Sequence, residues 1–226
     1  MKKNYKQSLT EFLSEFVTDN RLERFNQVIK WRTRHISIAL EDVYQPHNAS
    51  AVLRSCDCTG IQDIHIIEKD YQYQVNDDVA MGSSKWLSLI KYNAAENNTI
   101  ACIEHLRTQG YRIVATTPHK DDCLIDELPL DSKTVLFFGT ELEGISKDVI
   151  DNADAFVKIP MFGFTESYNI SVSAAICLFT LTQRLRKSNI NWQLSEQEIM
   201  DIKLQWLKNS IRDSVLLEKE FKKKFA

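Results

Sequence analysis

“IACIEHLRTQGYRIVATT” (residues 100–117) carries the pattern that decides the fold. A mixed apolar and polar segment of helical character runs up to Gly110, and glycine suits a helix C-terminus because it tolerates the left-handed conformation found there. A short run rich in β-branched residues follows, which is typical of a buried strand. The stretch therefore predicts one helix–glycine–strand unit.

The same formula extends in both directions along the chain. Short apolar strands are predicted at “ISIAL” (36–40), “IHII” (64–67), “TVLFFG” (134–139) and “AFVKIP” (155–160). Strands that alternate with helices indicate an α/β fold, a mostly parallel sheet with helices on both faces. Ligands of such sheets bind at the carboxyl ends of the strands. That rule selects three loops, which begin at Thr116, Gly139 and Met161.

The two ends of the chain have a different, helical character. Residues 1–35 are predicted to form a basic helical extension, with helices opened by the capping patterns “SLTE” (8–11) and “NRLE” (20–23). Residues 36–187 form the α/β domain. Residues 188–226 form an amphipathic C-terminal extension, predicted as one helix that opens with the Ser195-x-x-Glu198 capping box.

Composition bounds the class of protein. The chain has 226 residues and a net charge of −3, which is unevenly spread: +4 over residues 1–36, −11 over 37–183 and +4 over 184–226. Basic ends indicate either a polyanionic partner or simply solvated helices. No apolar run approaches the roughly 18 residues of a membrane helix, and no secretory signal is evident. The five cysteines lack a C-x-x-C pair, so we expect reduced thiols, no metal site and a cytoplasmic location.

The stretch “EDVYQPHNASAVLRSCDCTGI” (41–61) places a single arginine in an apolar helix. Asn48 is predicted to be the N-cap of that helix, and Gly60 its stop. Arg54 points away from the apolar stripe. It either forms an ion pair with Asp57 at i, i+3 or is directed at an anion near the helix N-terminus.

Two loops carry further candidate chemistry. “FFGTELEGIS” (137–146) places Gly-x-Glu-x-x-Gly after a buried strand, where glycines let backbone approach a ligand closely. “IPMFGFTESYNIS” (159–171) leads straight into a buried helix, and Ser167, Asn169 and Ser171 are suited to cap that helix, to contact a ligand, or both. Neither loop has the dinucleotide fingerprint or the Gly-Lys-Ser/Thr of a phosphate-binding loop.

Taken in order, “NASAVLR” (48–54), “FFGTELEGIS” and “IPMFGFTESYNISVSAA” (159–175) resemble the three motifs of the SpoU (TrmH-type) branch of the SPOUT RNA methyltransferases. The likeness covers roughly residues 21–187. Within the branch, the basic ends look most like the tRNA ribose methyltransferases that modify guanosine 18 of the D-loop. The resemblance implies a deep trefoil knot in the C-terminal part of the sheet domain, a homodimer, and S-adenosylmethionine (AdoMet) bound in the knot.

The resemblance also implies roles for particular residues. The residues expected to bind the cofactor are Thr116, Gly139, Gly144, Ile159, Met161 and Tyr168, the last standing where the family usually has leucine. The residues expected at the reacting ribose are Arg54, Asn48, Glu141, Ser167 and Asn169. The residues expected to bind tRNA phosphates are Arg21, Arg24, Arg32, Arg34, Arg184 and Arg186.

The function that the resemblance implies is AdoMet-dependent 2′-O-methylation of a ribose in tRNA. Methylation of ribosomal RNA is an alternative, although its enzymes often carry an extra N-terminal domain that 35 residues cannot supply. A non-catalytic RNA-binding dimer is an alternative of a different class. A nicotinamide-dependent enzyme is disfavoured by the missing glycine fingerprint.

Overall fold

The computed structural model describes residues 4–118, 120, 123–140 and 143–225, the side chain of residue 225 excepted. The chain divides into two compact units. Residues 33–192 form the sheet unit. The segments up to residue 32 and from residue 193 onward form the helical unit. Most of the two predicted extensions falls in this unit, whereas residues 33–35 and 188–192 belong to the sheet unit.

The sheet unit is built on one parallel sheet. Its described strands are β1 (Ile36–Glu41), β2 (Asp63–Ile67), β3 (Ser88–Tyr92), β4 (Arg112–Thr116), β5 (Cys123–Leu124), β6 (Thr134–Phe138) and β7 (Ala155–Lys158). Their order is β3–β2–β1–β6–β4–β7–β5, and every pairing is parallel. The predicted parallel α/β sheet is thereby confirmed. The sequence did not predict β3, which is only partly buried, or the two-residue β5.

The described helices occur in the following order along the chain. They are α1 (Tyr5–Ser14), α2 (Asp19–Ile29), α3 (Pro46–Thr59), α4 (Asp77–Ala80), α5 (Asn98–Thr108), α6 (Lys147–Asn152), α7 (Ile170–Lys187), α8 (Glu196–Ser210) and α9 (Ser214–Phe225), with a short 3₁₀ turn at Ser83–Lys85. Helices α3 to α7 belong to the sheet unit, and the other four belong to the helical unit.

Two apolar cores lie on opposite faces of the sheet, because successive side chains of a strand point to opposite sides. Ile38 and Leu40 of β1 belong to a core that includes the buried stripes of α3 and α7. Ala39, between them, belongs to the second core, with Phe137 of β6 and the buried residues of α5. The helix-covered faces expected of a parallel sheet are therefore present.

The helical unit has an aromatic core of its own. Trp206 of α8 is 2% exposed and lies against the ring of Phe25 of α2, with centroids 5.3 Å apart. Phe12 of α1 stacks on Phe221 of α9 with centroids 5.1 Å apart. These contacts pack α8 against α2 and α9 against α1.

Three predicted helix starts are wrong. Helix α3 begins at Pro46, because the fixed φ of proline suits the first helical position, and Asn48 is therefore the third helical residue and not the N-cap. “SLTE” lies inside α1, whose capping box is formed one turn earlier by Asn4 and Gln7. “NRLE” is likewise preceded by the actual cap, Thr18.

Other helix boundaries follow the sequence more closely. Gly60 ends α3 with a φ of +81°, as predicted. Ser195 and Glu198 form the predicted capping box of α8. The prediction of a single C-terminal helix is wrong, however, because Ile211 has an extended backbone and separates α8 from α9.

Candidate active site

A cavity of about 600 Å³ lies at the carboxyl ends of β4, β6 and β7. Its walls come from residues 116–118, from the loop after β6, from residues 157–161 and from the first turn of α7. The loops that begin at Thr116, Gly139 and Met161 therefore meet where the sequence predicted. The volume lies within the range of about 300–1,000 Å³ that is usual for sites of small organic ligands.

The loop after β6 is closed on itself by backbone. The amide of Thr140 donates to the carbonyl of Gly144 at 2.9 Å, and the amide of Gly144 donates back at 3.0 Å. A Cβ on Gly139 would lie 1.9 Å from the carbonyl oxygen of Gly144, so no larger residue fits without moving the loop. Gly144 has a φ of +72°, which also favours glycine. Glu141 lies outside the described residues.

The structure brings all six predicted cofactor residues together. Thr116, Gly139, Gly144, Ile159, Met161 and Tyr168 each line the cavity. They come from four separate segments of the chain. The resemblance named these residues together, and the fold gives them one location.

Asn169 joins the cavity to helix α3. Its side-chain oxygen accepts the amide of Ser171 at 2.8 Å and so caps α7, as predicted. Its side-chain nitrogen donates to the side-chain oxygen of Asn48 at 3.1 Å. Asn48 is 4% exposed and in turn donates to the side chain of Gln45 at 2.8 Å. Asn169 and Ser167 line the cavity. Asn48 does not line it, but it fixes the side chain of Asn169 through their hydrogen bond.

Arg54 is not among the residues that line the cavity. It is exposed on α3, two turns beyond the helix start. Within the described residues no ion pair joins it to Asp57, so the simple surface pairing is not formed there. A cation left exposed on this helix remains available to an incoming anion.

Glu41 is a buried acid that the sequence did not single out. It ends β1 and is 4% exposed. Its carboxylate accepts from the amide of Ser146 at 3.1 Å, from the hydroxyl of Ser146 at 2.7 Å and from the hydroxyl of Thr99 at 2.7 Å. Ser146 caps α6 and ends the loop after β6, so Glu41 fixes that loop. An acidic residue at the end of an apolar strand was the available signal.

The cavity offers no thiolate nucleophile among its described residues. Cys177 lines it but is 1% exposed, and burial raises the pKa of its thiol to about 12, so the group stays protonated at neutral pH. None of the five cysteines, all of which lie among the described residues, forms a disulfide bond. Across the described part of the chain no group of His, Cys, Asp and Glu side chains is placed to hold a metal ion. No helix found there is both long and apolar enough to cross a membrane.

The three predicted phosphate-binding arginines of the helical unit differ in their exposure to solvent. Arg21 and Arg24 are exposed on α2. Arg32 is 1% exposed, and its guanidinium lies over the ring of Trp206, 5.5 Å from the centroid. The prediction that Arg32 contacts RNA is therefore wrong, because its charged group stacks on the aromatic core instead.

The three arginines of the sheet unit are bound to the protein. The contacts join Arg34 to the carboxylate of Asp63 (2.9 Å), Arg184 to the carbonyls of Ile125 and Leu128 (3.1 and 2.9 Å), and Arg186 to the carbonyl of Thr59 (2.6 Å). Each guanidinium has five N–H donors, so these side chains can still donate to a further acceptor. Their contacts with the protein give all three a structural role.

Comparison with known proteins identifies the family. Residues 35–179, more than half of the chain, match the model of the SpoU rRNA Methylase family. The chain belongs to this family. The matched range begins one residue before β1 and ends within α7, so it takes in all three motif segments.

Family members of known name share most of the chain. The tRNA (guanosine(18)-2′-O)-methyltransferase of Borreliella burgdorferi is 41% identical over 206 residues, which cover 91% of this chain and 93% of that protein. The enzyme of the same name from Aquifex aeolicus is 30% identical over 194 residues, or 84% of this chain and 90% of that protein. The crystal structure of the A. aeolicus TrmH/SpoU tRNA modifying enzyme matches with a TM-score of 0.75 at 30% identity, covering 85% of this chain and 98% of that one.

Proposed function

We propose that the protein methylates the 2′-hydroxyl of guanosine 18 in the D-loop of tRNA, with AdoMet as methyl donor. The observation that carries the proposal is the similarity to the Borreliella enzyme along nearly the whole of both chains. The cavity supports it, since its lining unites the six residues expected to hold the donor.

The residues present fit AdoMet. The cavity has the volume of a small-molecule site, and a Cβ at Gly144 would meet nothing within 4 Å, so the glycine leaves backbone open there. We infer that backbone groups of Ile159, Met161 and Tyr168 hold the adenine and ribose, so that tyrosine in place of the family leucine preserves binding. When bound, AdoMet supplies a methyl group on a sulfonium, whose departing thioether is neutral.

The protein then has two tasks, to position the ribose hydroxyl and to accept its proton. We assign positioning to Arg54, which clamps the phosphate next to the reacting ribose through its planar fork. A guanidinium is not deprotonated in proteins, so Arg54 is an unsuitable general base. Asn48, Ser167 and Asn169 hold the surrounding loops, and Glu141 stays a predicted member of the site.

The role of Arg54 has its own test. Its replacement by alanine is expected to lower kcat strongly while AdoMet affinity, measured by calorimetry, is unchanged. The pH–rate profile of Arg54→Lys should keep the same kinetic pKa as the parent. A kinetic pKa that vanishes in Arg54 variants and persists in variants of Asn48 would defeat the clamp and favour the base.

A homodimer is part of the proposal. Phe162 and Phe164 of the loop before α7 are 96% and 109% exposed, and Val172 and Phe179, seven residues apart on α7, are 43% and 61% exposed. Such a set of exposed apolar groups is typical of a surface covered by a partner. Light scattering of Phe179→Glu should report a monomer where the parent is a dimer, and a dimeric variant would count against this face.

The trefoil knot and a cytoplasmic location complete the proposal. The order of the strands and the packing of α7 beside α3 on one face of the sheet are compatible with the knot that the family resemblance implies. A crystal structure with an unknotted backbone path would contradict this part of the proposal. A cytoplasmic location follows from the proposed tRNA substrate.

The decisive experiment is incubation with methyl-labelled AdoMet and separate tRNA and rRNA fractions. Label is expected in tRNA, and in a tRNA transcript with guanosine at position 18. The same transcript with 2′-deoxyguanosine at that position lacks the acceptor hydroxyl and should stay unlabelled. Label confined to rRNA would replace tRNA as the substrate, and failure to bind AdoMet in calorimetry would favour a non-catalytic RNA-binding protein.

A further inference from the structure

Two tyrosines lie exposed side by side in the sheet unit. Tyr44 is 44% exposed and Tyr71 is 52% exposed, and their ring centroids are 5.3 Å apart at an interplanar angle of 42°. Aromatic rings present a large apolar area, and their exposure as a pair forgoes the stabilisation that burial would give. A pair of this kind therefore indicates a contact surface.

The buried side chain of Asp42 fixes the backbone that carries one ring of the pair. Asp42 is 6% exposed, and its Oδ1 accepts the backbone amides of Lys69, Asp70 and Tyr71 at 3.1, 3.0 and 2.9 Å. Asp42 also has a φ of +54°, a conformation that residues with side chains rarely adopt. Three hydrogen bonds to one carboxylate oxygen hold that strained backbone. They fix the backbone of Tyr71 to Asp42, which lies two residues before Tyr44.

Tyr44, one ring of the pair, also borders the proposed active site. Tyr44 lines a narrow crevice with Asn48, Gly139 and Thr140, and the last two also line the large cavity. Gln45 connects the ring to the site, since it donates to the hydroxyl of Tyr44 at 3.0 Å and accepts from Asn48 at 2.8 Å. Tyr44 therefore lies beside the cavity that is proposed to hold the methyl donor.

We propose that Tyr44 and Tyr71 form a stacking platform for one unpaired base of the RNA substrate, at or directly beside the methylated nucleotide. The inference rests on the proposed function and extends it to a base-binding site. The two rings are in contact, so the base stacks on an outer face and does not insert between them. Splayed, unstacked bases are commonly held on aromatic side chains in this way.

Stacking suits the chemistry of the reaction. A 2′-hydroxyl can be aligned for in-line attack only when its nucleotide is held firmly, and a clamp on the phosphate alone leaves rotation about the backbone free. A second contact through the base removes that freedom. Every base has a π-face, so the platform itself is tolerant of sequence.

The test is a cycle of binding measurements with AdoMet omitted. The parent protein and Tyr44→Ala/Tyr71→Ala are titrated with a tRNA transcript and with transcripts that carry one abasic residue at position 17, 18 or 19. Removing the stacked base should weaken binding to the parent by about 10-fold or more. The same removal should change binding to the double variant little, because the platform is already absent.

Matched variants separate stacking from folding. Tyr44→Phe/Tyr71→Phe keeps both rings and should retain the coupling, whereas Tyr44→Leu/Tyr71→Leu keeps apolar volume without an aromatic face and should abolish it. Thermal unfolding and AdoMet calorimetry check that each variant is folded. If the alanine variant fails these checks, the comparison of the phenylalanine and leucine variants decides the question.

Two results would overturn the platform. One is that base removal at position 17, 18 or 19 weakens binding to the parent and to the folded double-alanine variant by the same factor. The other is that Tyr44→Leu/Tyr71→Leu changes the oligomeric state but still binds the abasic transcripts more weakly than the intact one. The tyrosine pair would then contact another protein chain and not a base. If the parent methylates no tRNA, the proposed function fails on that assay alone, while the binding cycle still reports on the platform.

Discussion

The side chain of Asn169 donates a 3.1 Å hydrogen bond to the side-chain oxygen of Asn48 and thereby ties the N-terminus of α7 to the first turn of α3. The same amide accepts the backbone N–H of Ser171, which fixes its orientation. Two of the three motif segments are thus joined by a single side chain that needs both its oxygen and its nitrogen.

Replacing Asn169 with aspartate should separate these two duties. The carboxylate keeps the cap and suits a helix N-terminus, but it cannot donate to Asn48, whose buried oxygen then faces a negative charge. We expect the rate of methyl transfer to fall at least about 10-fold, with a decrease of roughly 1–2 kcal/mol in the free energy of unfolding by urea. Asn169→Ser keeps a cap without the charge and serves as control. A parental kcat in Asn169→Asp would exclude a role for the bridge.

Glu41 is expected to control the loop after β6. Glu41→Gln retains one acceptor but turns an NH₂ group toward Ser146, so at least one of the three hydrogen bonds is broken. Since bonds to a charged group contribute about 1.5–3 kcal/mol, AdoMet affinity should fall about 10-fold and stability should decrease by a similar energy. Calorimetry and urea unfolding measure the two effects. Glu104→Gln, at an exposed site on α5, should change neither, and equal behaviour of the two variants would remove Glu41 from the site.

Two glycines in neighbouring loops offer a matched comparison. The Cβ of Gly139→Ala would lie 1.9 Å from the carbonyl oxygen of Gly144 and must displace the loop, whereas that of Gly163→Ala meets only an amide nitrogen of Thr165 at 4.0 Å. We expect Gly139→Ala to weaken AdoMet binding by about 10-fold or more while the fold persists in circular dichroism. Gly163→Ala should bind as the parent does. Undiminished AdoMet binding by Gly139→Ala would show that the loop does not enclose the donor.

A buried histidine predicts how stability depends on pH. His65 is 3% exposed, and burial, with a smaller contribution from His105, lowers its pKa to about 4. Its Nδ1 lies 2.9 Å from the hydroxyl of Tyr92, and the ring of Tyr111 is also near. The folded state thus holds His65 neutral, while the unfolded chain takes up a proton below about pH 6.5. This contribution to stability is complete above about pH 6.5 and disappears as the pH falls towards 4.

Urea unfolding across the range from neutral to mildly acidic pH measures that effect. The full difference of about 2.5 pKa units corresponds to roughly 3 kcal/mol. A His65→Gln variant cannot titrate at this position, so its stability should decline less as the pH is lowered through this range. Parallel pH dependences of the parent and the variant would assign the acid sensitivity to other groups.

The sequence predicted the parallel sheet, because short apolar strands are a local pattern. The family resemblance named six residues that the fold brings to one cavity, and their binding of AdoMet stays a proposal. Prediction from the sequence failed where a tertiary contact decides the role of a side chain. Asparagine is a common N-cap residue, yet Pro46 starts the helix two residues before Asn48. The side-chain oxygen of Asn48 instead accepts a hydrogen bond from Asn169. Arg32 resembled a phosphate ligand, but only the packing of Trp206 reveals where its charge lies. Glu41 was missed because its partners lie 58 and 105 residues away.

The exposed arginines of α2 give the last prediction, which concerns how a protein with a net charge of −3 holds tRNA. Arg21 and Arg24 are exposed, and every phosphate that an arginine neutralises releases counterions, so the log–log slope of affinity against salt should flatten by roughly 0.7–0.9 for each arginine–phosphate pair removed. Arg21→Ala/Arg24→Ala should bind tRNA more weakly at low salt, with a slope reduced by roughly 1.4–1.8 and with AdoMet affinity unchanged. Arg107→Ala is the control, because this exposed arginine is paired with Asp154 in the acidic middle of the chain and should leave the slope as it is. If the double variant follows the parent across the whole salt range, these arginines only solvate the helix.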